Sequence, residues 1–441
     1  MLRHMMGVSV GEEVPEDQVP VLYDQMGFER AVPRKDIPGR KDPAGFKVLV
    51  ISGGMTGIAA GVKLAEAGYD YTIIEKNAQL GGTWLENRYP GVGLDTPSHF
   101  YSYSFEPNPD WSTYHPKGPE IQDYLLSVAD KYSIRGHVQF ETKVVECRWN
   151  DIRSIWHVTL EKADGTRRVE DTNAVLLAHG VLNRWSMPNI PGLDRFNGPK
   201  MHSAGWDPSV DVTRKRVALI GTGASAAQLG PAISDKVKSL TVFQRSRHWV
   251  LNNPDINVHV NDNIRFALKH IPHYKEWFRF RVYWFTGDGL YGNVKMEENH
   301  PTPDISISAQ NHAVRYYALW YIHEKLKDRP DLLGKMIPDY PIFGKRIVLD
   351  ADGGWLDMLL KGNVTLDTDG IDHIEENTVV TKGASVTRSI FWRWPPALIW
   401  PRRWAPYRCL AVGAATFRLP GAGTRPAPIS ALWLRPIPTS L

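Results

Sequence analysis

The chain has 441 residues, 42% of them hydrophobic and 23% charged, which is enough for two or three domains with buried cores. Its two cysteines, Cys147 and Cys409, cannot build a zinc cage or a disulfide framework, so neither metal nor dithiol chemistry is expected. A signal peptide and a long apolar run are both missing, which predicts a cytoplasmic protein without a membrane partner.

The positive charge is confined to one end of the chain. The formal net charge is +4, but residues 377–441 contain nine Lys or Arg and no Asp or Glu. The preceding part is therefore net acidic. A nucleic-acid partner, which a basic protein would suggest, is not expected.

The first structural pattern in chain order is a strand, a turn, a helix and a second strand. FKVLVI at 46–51 predicts a buried strand, and SGGMTG at 52–57 predicts a glycine-rich turn. An alanine-rich helix follows at 58–67, and YDYTIIEK at 69–76 predicts the second strand. This order is typical of a βαβ unit in a parallel sheet.

A second unit of the same kind begins at residue 216. RVALI at 216–220 predicts a strand, GTGASA at 221–226 a turn, and SLTVFQR at 239–245 the next strand. Between the two units, residues 140–160 alternate like antiparallel strands, and NAVLLAHG at 173–180 predicts a further strand of the first sheet.

These elements predict an α/β fold with two Rossmann-like dinucleotide-binding domains. An N-terminal extension of polar residues occupies 1–43. The first domain is expected at 44–195 and the second at 196–382, with an aromatic-rich helical insertion at about 261–335.

The first glycine-rich turn has the composition of a dinucleotide site, although a tight packing turn is the simpler alternative. Glycines between a strand and a helix let backbone N–H groups approach a pyrophosphate. Glu75 lies 21 residues after Gly54, where a carboxylate can accept from ribose hydroxyls. Ser52 replaces the first glycine, which predicts weaker binding. The turn residues assigned to the cofactor are Ser52, Gly53, Gly54, Met55 and Gly57.

The second turn differs at the end of the following strand. That strand ends in Gln244, Arg245, Ser246 and Arg247, and arginine suits the 2′-phosphate of NADP, unless these arginines are ordinary solvated charges. The two turns together predict FAD in the first unit and NADPH in the second, with hydride passing between them. The residues assigned to NADPH are Gly221, Thr222, Gly223, Ala224, Ser225 and Arg245.

A third motif lies just before the second unit. Residues 196–207 read FNGPKMHSAGWD, which fits FxGxxxHxxxWD through Phe196, Gly198, His202, Trp206 and Asp207. Set between two dinucleotide turns, this pattern resembles the fingerprint of Baeyer–Villiger monooxygenases. Related N-oxygenating flavoenzymes have a similar motif without the terminal Trp-Asp. The resemblance implies that His202 and Trp206 couple domain positions to cofactor binding.

Three further segments resemble the 4-hydroxyacetophenone monooxygenase type of this family. They are GGTWLENRYPG at 81–91, LDTPSHFYSYSFEPNPDW at 94–111 and DYPIFGKRIVLD at 339–350. The likeness extends from about residue 46 to 382. The residues of the first segment that are assigned to the cofactor are Gly82, Thr83, Trp84, Arg88 and Tyr89.

The resemblance also implies roles for three charged residues. Arg346 is expected beside the flavin, where it stabilises the peroxide, and Lys345 is expected to hold the phosphate of the nicotinamide cofactor. Asp95 is expected to orient Arg346. A guanidinium suits this role because it stays protonated at working pH and needs no reorganisation.

The resemblance implies an FAD- and NADPH-dependent monooxygenase. It would use O2 to oxidise a ketone to an ester through a C4a-peroxyflavin, and the 4-hydroxyacetophenone type suggests an aryl ketone as one such substrate. Two alternatives stay open from the sequence: oxygenation of a soft nitrogen or sulfur, and an inactive remnant that at most binds a nucleotide. The oligomeric state is not predicted.

The residues after Lys382 do not continue the family pattern. The family has a segment with Tyr/His-Pro-x-Asp and Ala-Thr-Gly-Phe, expected to return the chain to the first sheet, where this chain reads GASVTRSIFWRWPPALIW. Codons compatible with residues 386–398, read in a shifted frame, give Tyr-Pro-Val-Asp-Leu-Leu-Ala-Leu-Ala-Thr-Gly-Phe. The sequence therefore predicts that 383–441 is an aberrant, frameshifted and poorly folded tail, and that the first domain lacks its C-terminal part.

Overall fold

The computed structural model of the protein describes residues 1–27, 44–182, 184–383, 386–388, 390–393 and 408–410. The α-helices are α1 (Leu2–Val10), α2 (Val19–Met26), α3 (Met55–Glu66), α4 (Thr83–Glu86), α5 (Gly118–Lys131), α6 (Ala224–Ser234), α7 (Asp262–His270), α8 (Tyr274–Thr286), α9 (Ala309–Leu326), α10 (Pro330–Met336) and α11 (Trp355–Leu359). The strands are β1 (Lys47–Ile51), β2 (Asp70–Ile74), β3 (Val138–Gln139), β4 (Thr142–Asn150), β5 (Ile155–Lys162), β6 (Arg167–Thr172), β7 (Ala174–Leu177), β8 (Lys200–His202), β9 (Arg216–Ile220), β10 (Ser239–Phe243), β11 (Val250–Asn252), β12 (Val348–Asp350), β13 (Val364–Asp367), β14 (Ile371–Glu375), β15 (Thr378–Thr381), β16 (Val386–Arg388), β17 (Ile390–Arg393) and β18 (Arg408–Leu410).

The first parallel sheet has the strand order β3-β2-β1-β7. Strand β1 is apolar on both faces, as a central parallel strand must be. Val48 and Val50 pack with α3 and α5 on one face, while Leu49 and Ile51 pack against the antiparallel sheet on the other. The period of two along β1 thus places this strand between two layers.

The antiparallel sheet covers the second face of the first parallel sheet. Strand β5 pairs with β4 and β6, and the apolar residues Val144, Val158 and Leu160 face β1. The antiparallel alternation predicted for 140–160 is therefore confirmed. The further strand predicted at 173–180 is also confirmed, because β7 pairs with β1 in parallel.

The second parallel sheet has the order β13-β10-β9-β17-β8. Helix α6 connects β9 to β10, so the second βαβ unit is present. Its core contains Val217, Leu219, Leu240 and Val242, all almost fully buried. The two parallel sheets confirm the predicted α/β fold.

The predicted aberrant tail, 383–441, lies mostly outside the described residues. The parts that the structure describes are the backbones of β16, β17 and β18. Strand β17 runs parallel between β9 and β8. The segment that stands in place of the family's returning strand thus joins the second parallel sheet and not the first.

The N-terminal helices pack on the helical part of the chain that follows β11. Helices α7 to α10 lie at 262–336, where the sequence predicts helices, and α1 and α2 cover α8. The shared core contains Met6, Leu22, Phe280 and Trp284. The residues that the structure describes form no helix with both the length and the apolar character needed to cross a bilayer.

Arg279 on α8 ties the N-terminal helices to the first domain. Its side chain is buried, and it donates to the carbonyl oxygens of Gln25 (3.0 Å), His99 (2.7 Å) and Ser102 (3.1 Å). Burial lowers the pKa of Arg279 to about 10. The hydrogen bonds offset part of the desolvation of the cation.

Candidate functional site between the two glycine-rich turns

The first glycine-rich turn leads from β1 into α3. Gly54 precedes this helix and offers no side chain to cap it. By contrast, the side-chain oxygens of Asn261 and Ser308 cap α7 and α9. The first-turn N–H groups of α3 are therefore available for an anion such as a phosphate.

Glycines let three backbone segments approach one another at this turn. A Cβ on Gly57 would lie 1.9 Å from the carbonyl oxygen of Ser52, so α3 can begin this close to β1 only with glycine here. A Cβ on Gly82 would lie 2.8 Å from the Cα of Gly54. The loop that contains Gly82 thus lies directly against the turn.

Ser52 departs from glycine in residue type but not in conformation. Its φ is 86°, in the left-handed region that favours glycine. Its N–H donates to the carbonyl oxygen of Ile74 (2.9 Å), which holds the turn on β2. Ser52 therefore holds a strained backbone conformation.

Glu75 is buried at the end of β2, and its carboxylate accepts hydrogen bonds from the turn. The N–H of Gly53 donates to Oε2 (2.6 Å), and the Ser52 hydroxyl lies 3.3 Å from the same oxygen. The backbone N–H and the side-chain Nδ2 of Asn77 donate to Oε1, both at 2.9 Å. The carboxylate thus lies beside the turn, as the sequence analysis expected.

The second turn leads from β9 into α6 with the same plan. Gly221 has a φ of 103°, and Gly223 precedes the helix without a side-chain cap. Thr222 is buried, and its hydroxyl donates to the carbonyl oxygen of Ser246 (3.3 Å). Ala224 and Ser225 form the first turn of α6, and its N–H groups are therefore available for an anion as well.

Positive side chains surround the end of β10. Arg245 is exposed and forms no ion pair with the part of the chain that the structure describes. The Nζ of Lys345 lies 4.5 Å from the ring centre of Tyr340, whose hydroxyl donates to the carbonyl oxygen of Arg247 (2.8 Å). This end of the strand can therefore receive an anionic group.

The loop after the first unit, residues 81–95, contains further candidate residues. Trp84 donates from Nε1 to the hydroxyl of Tyr101 (3.2 Å), and the two rings meet edge to face. Thr83 and Arg88 are exposed, and Arg88 donates from Nε to the carbonyl oxygen of Leu85 (2.9 Å). Trp84 thus lies on the packed side of this loop, and Thr83 and Arg88 lie on its exposed side.

Asp95 and Arg346, which are 251 positions apart in sequence, form an ion pair. The Arg346 side chain is 68% exposed and that of Asp95 30% exposed. Exposed ion pairs contribute little to stability, about 0–1 kcal/mol. The pair therefore orients the guanidinium more than it stabilises the fold.

Tyr89 links the first loop to the second turn. Its hydroxyl lies 2.5 Å from Oγ of Ser225 and 2.8 Å from Oε1 of Gln228, both on α6. Burial raises the pKa of Tyr89, the negative charge of Asp95 raises it further, and the positive charge of Arg346 opposes both. Tyr89, the ion pair and the start of α6 therefore lie together.

The fingerprint residues are mostly core residues of the second unit. Phe196 and Trp206 are buried in two separate clusters. His202 is buried, stacks on the ring of Trp185 at 4.9 Å, and accepts from the N–H of Ala204 through Nδ1 (3.0 Å). The structure thus places these three side chains in packed parts of the second unit.

The other two fingerprint positions are a glycine and an exposed acid. A Cβ on Gly198 would lie 2.5 Å from the ring of Phe196. Asp207 accepts from the hydroxyl (2.6 Å) and the N–H (2.9 Å) of Ser209, and these bonds lower the pKa of Asp207. Asp207 thus fixes a turn just after the fingerprint.

Three residues near the ion pair were not identified from the sequence. Gln228 donates from Nε2 to the carbonyl oxygen of Gly93 (3.0 Å). The charge of Asp95 acts on Tyr101, whose pKa is raised first by burial, and on His115, whose pKa burial lowers. The sequence signals were the position of Gln228 two residues after the second turn and the inclusion of Tyr101 in the segment 94–111.

Comparison with known proteins identifies the class. The family described as FMO-like, flavin-binding monooxygenase-like, matches residues 45–262, a range that includes both turns and the fingerprint. Residues 45–262 therefore belong to this flavin-binding monooxygenase-like family.

Two monooxygenases are similar to this chain over most of its length. The chain is 38% identical over 379 residues to the uncharacterized monooxygenase y4iD of Sinorhizobium fredii, with 86% of this chain and 56% of that protein covered. It is 34% identical over 335 residues to a Baeyer-Villiger monooxygenase of Pseudomonas aeruginosa, with 76% and 60% covered. The chain thus spans less than two thirds of the length of these curated relatives.

The fold also matches solved structures. OTEMO in complex with FAD and NADP is 26% identical with a TM-score of 0.66, and the match covers 80% of this chain and 71% of that one. Cyclohexanone monooxygenase from Rhodococcus sp. Phi1 bound to NADP+ is 27% identical with the same TM-score, and the match covers 80% and 70%. Baeyer–Villiger monooxygenases are therefore homologues of this chain.

Proposed function

We propose that the protein is an FAD- and NADPH-dependent monooxygenase that uses O2 for the Baeyer–Villiger oxidation of a ketone to an ester. The observation that carries the proposal is the position of the Asp95–Arg346 ion pair. The loop that contains Asp95 packs against the first turn at Gly82 and against α6 at Tyr89. The loop thus contacts both turns, and its Asp95 holds the cation of Arg346.

The residues of the first turn fit FAD. The uncapped start of α3 supplies N–H groups for a pyrophosphate, and the bare Cα atoms of Gly53 and Gly54 allow the phosphate to approach the backbone. The carboxylate of Glu75 lies beside this turn, where it can bind ribose hydroxyls. Ser52 is the one departure from the usual turn.

The residues of the second turn fit NADPH. The uncapped start of α6 offers a second anion site, and Arg245 offers a cation for a 2′-phosphate. Lys345 lies on the neighbouring segment and supplies a further positive charge. The similar protein OTEMO has a solved structure in complex with FAD and NADP, which supports both assignments.

The chemistry that bound FAD and NADPH supply is hydride transfer and activation of O2. Arg346 holds a permanent positive charge where negative charge develops on the reacting oxygen. Asp95 fixes the direction of the guanidinium through their ion pair. Since the guanidinium does not lose its proton, it stabilises an anion throughout the reaction.

The decisive experiment replaces this cation. In Arg346→Ala we expect FAD retention to persist and ester formation to fall about a hundredfold, the usual effect of removing one preorganised donor. Arg329→Ala is the matched control, because Arg329 is an exposed arginine paired with Asp331 outside the site. Unchanged ester formation in Arg346→Ala would remove Arg346 from the mechanism.

The substrate class is an aryl ketone, as in the 4-hydroxyacetophenone monooxygenase type. The supporting observation is the likeness of residues 81–91, 94–111 and 339–350 to that type. An aryl ketone, an alicyclic ketone, an amine and a sulfide are compared at equal concentration. Ester formed mainly from the aryl ketone supports this assignment, whereas faster oxygenation of the amine or the sulfide would favour the heteroatom alternative.

The tail beyond Lys382 derives from a frame change in the coding sequence. The support is the family-like peptide that appears when compatible codons for 386–398 are read in a shifted frame. An uninterrupted frame at codon 382 in independent DNA reads would contradict the frame change. Loss of bound flavin in this chain, together with its recovery in a frame-restored version, would identify this chain as an inactive remnant of an active enzyme.

A further inference from the structure

A chain of hydrogen bonds connects the second turn to the loop that contains Asp95. The hydroxyl of Tyr89 contacts Oγ of Ser225 (2.5 Å) and Oε1 of Gln228 (2.8 Å). The Nε2 group of Gln228 donates to the carbonyl oxygen of Gly93 (3.0 Å), two residues before Asp95. The path therefore starts in the first turn of α6 and ends beside the ion pair.

Proton counting fixes the direction of these bonds. The phenol has one proton, and Oε1 of Gln228 can only accept. The phenol proton is therefore directed to Gln228, and the Ser225 hydroxyl donates to the Tyr89 oxygen. The Ser225 proton then faces Tyr89 and not the open edge of α6.

The contact between the loop and α6 is also close in its backbone. A Cβ on Gly91 would lie 2.4 Å from the carbonyl oxygen of Gln228. Tyr89 is only 5% exposed, so water does not replace its partners freely. A change in the direction of these hydrogen bonds is thus transmitted to a closely packed loop.

An anion bound at the start of α6 would accept a hydrogen bond from the Ser225 hydroxyl. A phosphate oxygen has no proton of its own to give at this position, and Ser225 lies in the helical turn whose N–H groups would bind it. When Ser225 donates to the anion, Tyr89 must donate to Ser225, and Gln228 loses its donor. The position of Gln228, and with it Gly93, then depends on whether the turn is filled.

We propose that Tyr89 is a positioning residue that couples occupancy of the second dinucleotide turn to the loop 82–95, and through it to the first turn. This proposal rests on the proposed function, because it takes FAD and NADP+ as the two ligands. The loop contacts Gly54 of the first turn and the start of α6. Occupancy of either turn therefore changes the affinity of the other turn for its dinucleotide, by the same factor.

The experiment measures this factor by binding and not by turnover. The FAD-loaded protein is diluted with and without saturating NADP+, and released FAD is followed by its fluorescence. In the unaltered chain we expect NADP+ to change the FAD affinity at least about fivefold, within the usual range of coupling between sites. In Tyr89→Phe, which keeps the ring and loses the hydroxyl, we expect a factor below about twofold.

Three further variants test the path. In Ser225→Ala we expect the same loss, and in Tyr89→Phe combined with Ser225→Ala no additional loss, because the two side chains act in one path. Gln228→Glu keeps the acceptor for Tyr89 but removes the donor to Gly93, so it also lowers the factor. Tyr321→Phe, which removes a buried hydroxyl beside Asp350, is the matched control and keeps the factor of the unaltered chain.

The outcomes separate the two proposals. A chain that binds neither FAD nor NADP+ overturns the proposed function and this inference with it. A chain that binds both dinucleotides without either one changing the affinity for the other, or a folded Tyr89→Phe with the full factor, overturns only the role of Tyr89. If Tyr89→Phe does not fold, a Gln228→Glu variant that keeps the full factor also overturns the role of Tyr89.

Discussion

The two glycine-rich turns have the same backbone plan and differ in their residues. Both join a parallel strand to a helix that begins after a glycine without a side-chain cap. The first turn begins with Ser52 and has the carboxylate of Glu75 at the end of its next strand. The second begins with Gly221 and has the guanidinium of Arg245 there. The shared plan provides a site for a pyrophosphate, and the charge after the strand distinguishes the two ligands.

The last position of each turn gives the largest expected effect. It is Gly57 in the first turn and Ala226 in the second. In Gly57→Ala the new Cβ would collide with the carbonyl oxygen of Ser52, which the Ser52 N–H bond to Ile74 holds in place. We expect the free energy of unfolding to fall by about 3 kcal/mol, the upper end for overpacking, as measured by urea denaturation.

The matched control is the reverse substitution, alanine to glycine, at the same position of the second turn. Ala226→Gly lies in the first turn of α6, where we expect a loss of about 1 kcal/mol from backbone entropy. A Gly57→Ala variant as stable as Ala226→Gly would show that the first turn can move away from α3. The close approach at Gly57 would then have no energetic consequence.

Arg245 provides the second test, which concerns the difference in charge. In Arg245→Ala we expect the KM for NADPH to rise about tenfold to a hundredfold, because a charge-assisted hydrogen bond to the 2′-phosphate contributes about 1.5–3 kcal/mol. The KM for NADH, which has no such phosphate, should be unchanged. NADPH oxidation by the FAD-loaded protein measures both values.

The control for Arg245→Ala is the same substitution at Arg247, two residues further along the chain. Its Nη1 donates to the carbonyl oxygen of Ile337 (3.0 Å), so its side chain is held against the segment after α10. Arg247→Ala should therefore change the preference for NADPH less than Arg245→Ala does. Equal effects of the two variants would mean that the general positive charge, and not a specific contact at Arg245, sets the preference.

Local patterns predicted the parts of the fold that depend on near neighbours in sequence. The apolar run of β1, the turn at 52–57 and the start of α3 follow from residues within a few positions of one another. The ion pair of Asp95 with Arg346 was expected only through the family resemblance, because no local signal relates residues so far apart. The structure brings these two side chains together.

Contacts between distant elements were not predictable in this way. The order of the second sheet, with β17 between β9 and β8, does not follow from the periodicity of any strand. Arg279 reads as an ordinary charge on an aromatic helix, yet it is buried because α1 and α2 cover α8. The hydrogen bonds of Tyr89 depend on the approach of a loop to α6, which only the tertiary structure defines.

The smallest expected effect is at the first position of the turns, where Ser52 stands in the first turn and Gly221 in the second. Ser52→Gly makes the two turns alike. It relieves a non-glycine residue at a φ of 86°, which costs about 1–2 kcal/mol, and loses a long hydroxyl contact with Glu75 (3.3 Å), which contributes about 0.5 kcal/mol. We expect the net stability to rise by about 1 kcal/mol in urea denaturation, reduced by the greater entropy of glycine in the unfolded chain.

The same variant shows whether the hydroxyl competes for the carboxylate of Glu75. Both carboxylate oxygens of Glu75 accept bonds from the protein, and Oε2 receives the Gly53 N–H as well as the Ser52 hydroxyl. Without the hydroxyl, Oε2 has one acceptor position more for a ribose hydroxyl. FAD affinity should therefore rise a few fold in Ser52→Gly, while Ser52→Ala, which also loses the hydroxyl but keeps the strain, should gain affinity without gaining stability. If Ser52→Ala loses affinity, the hydroxyl assists binding, and the first turn is then adapted to serine.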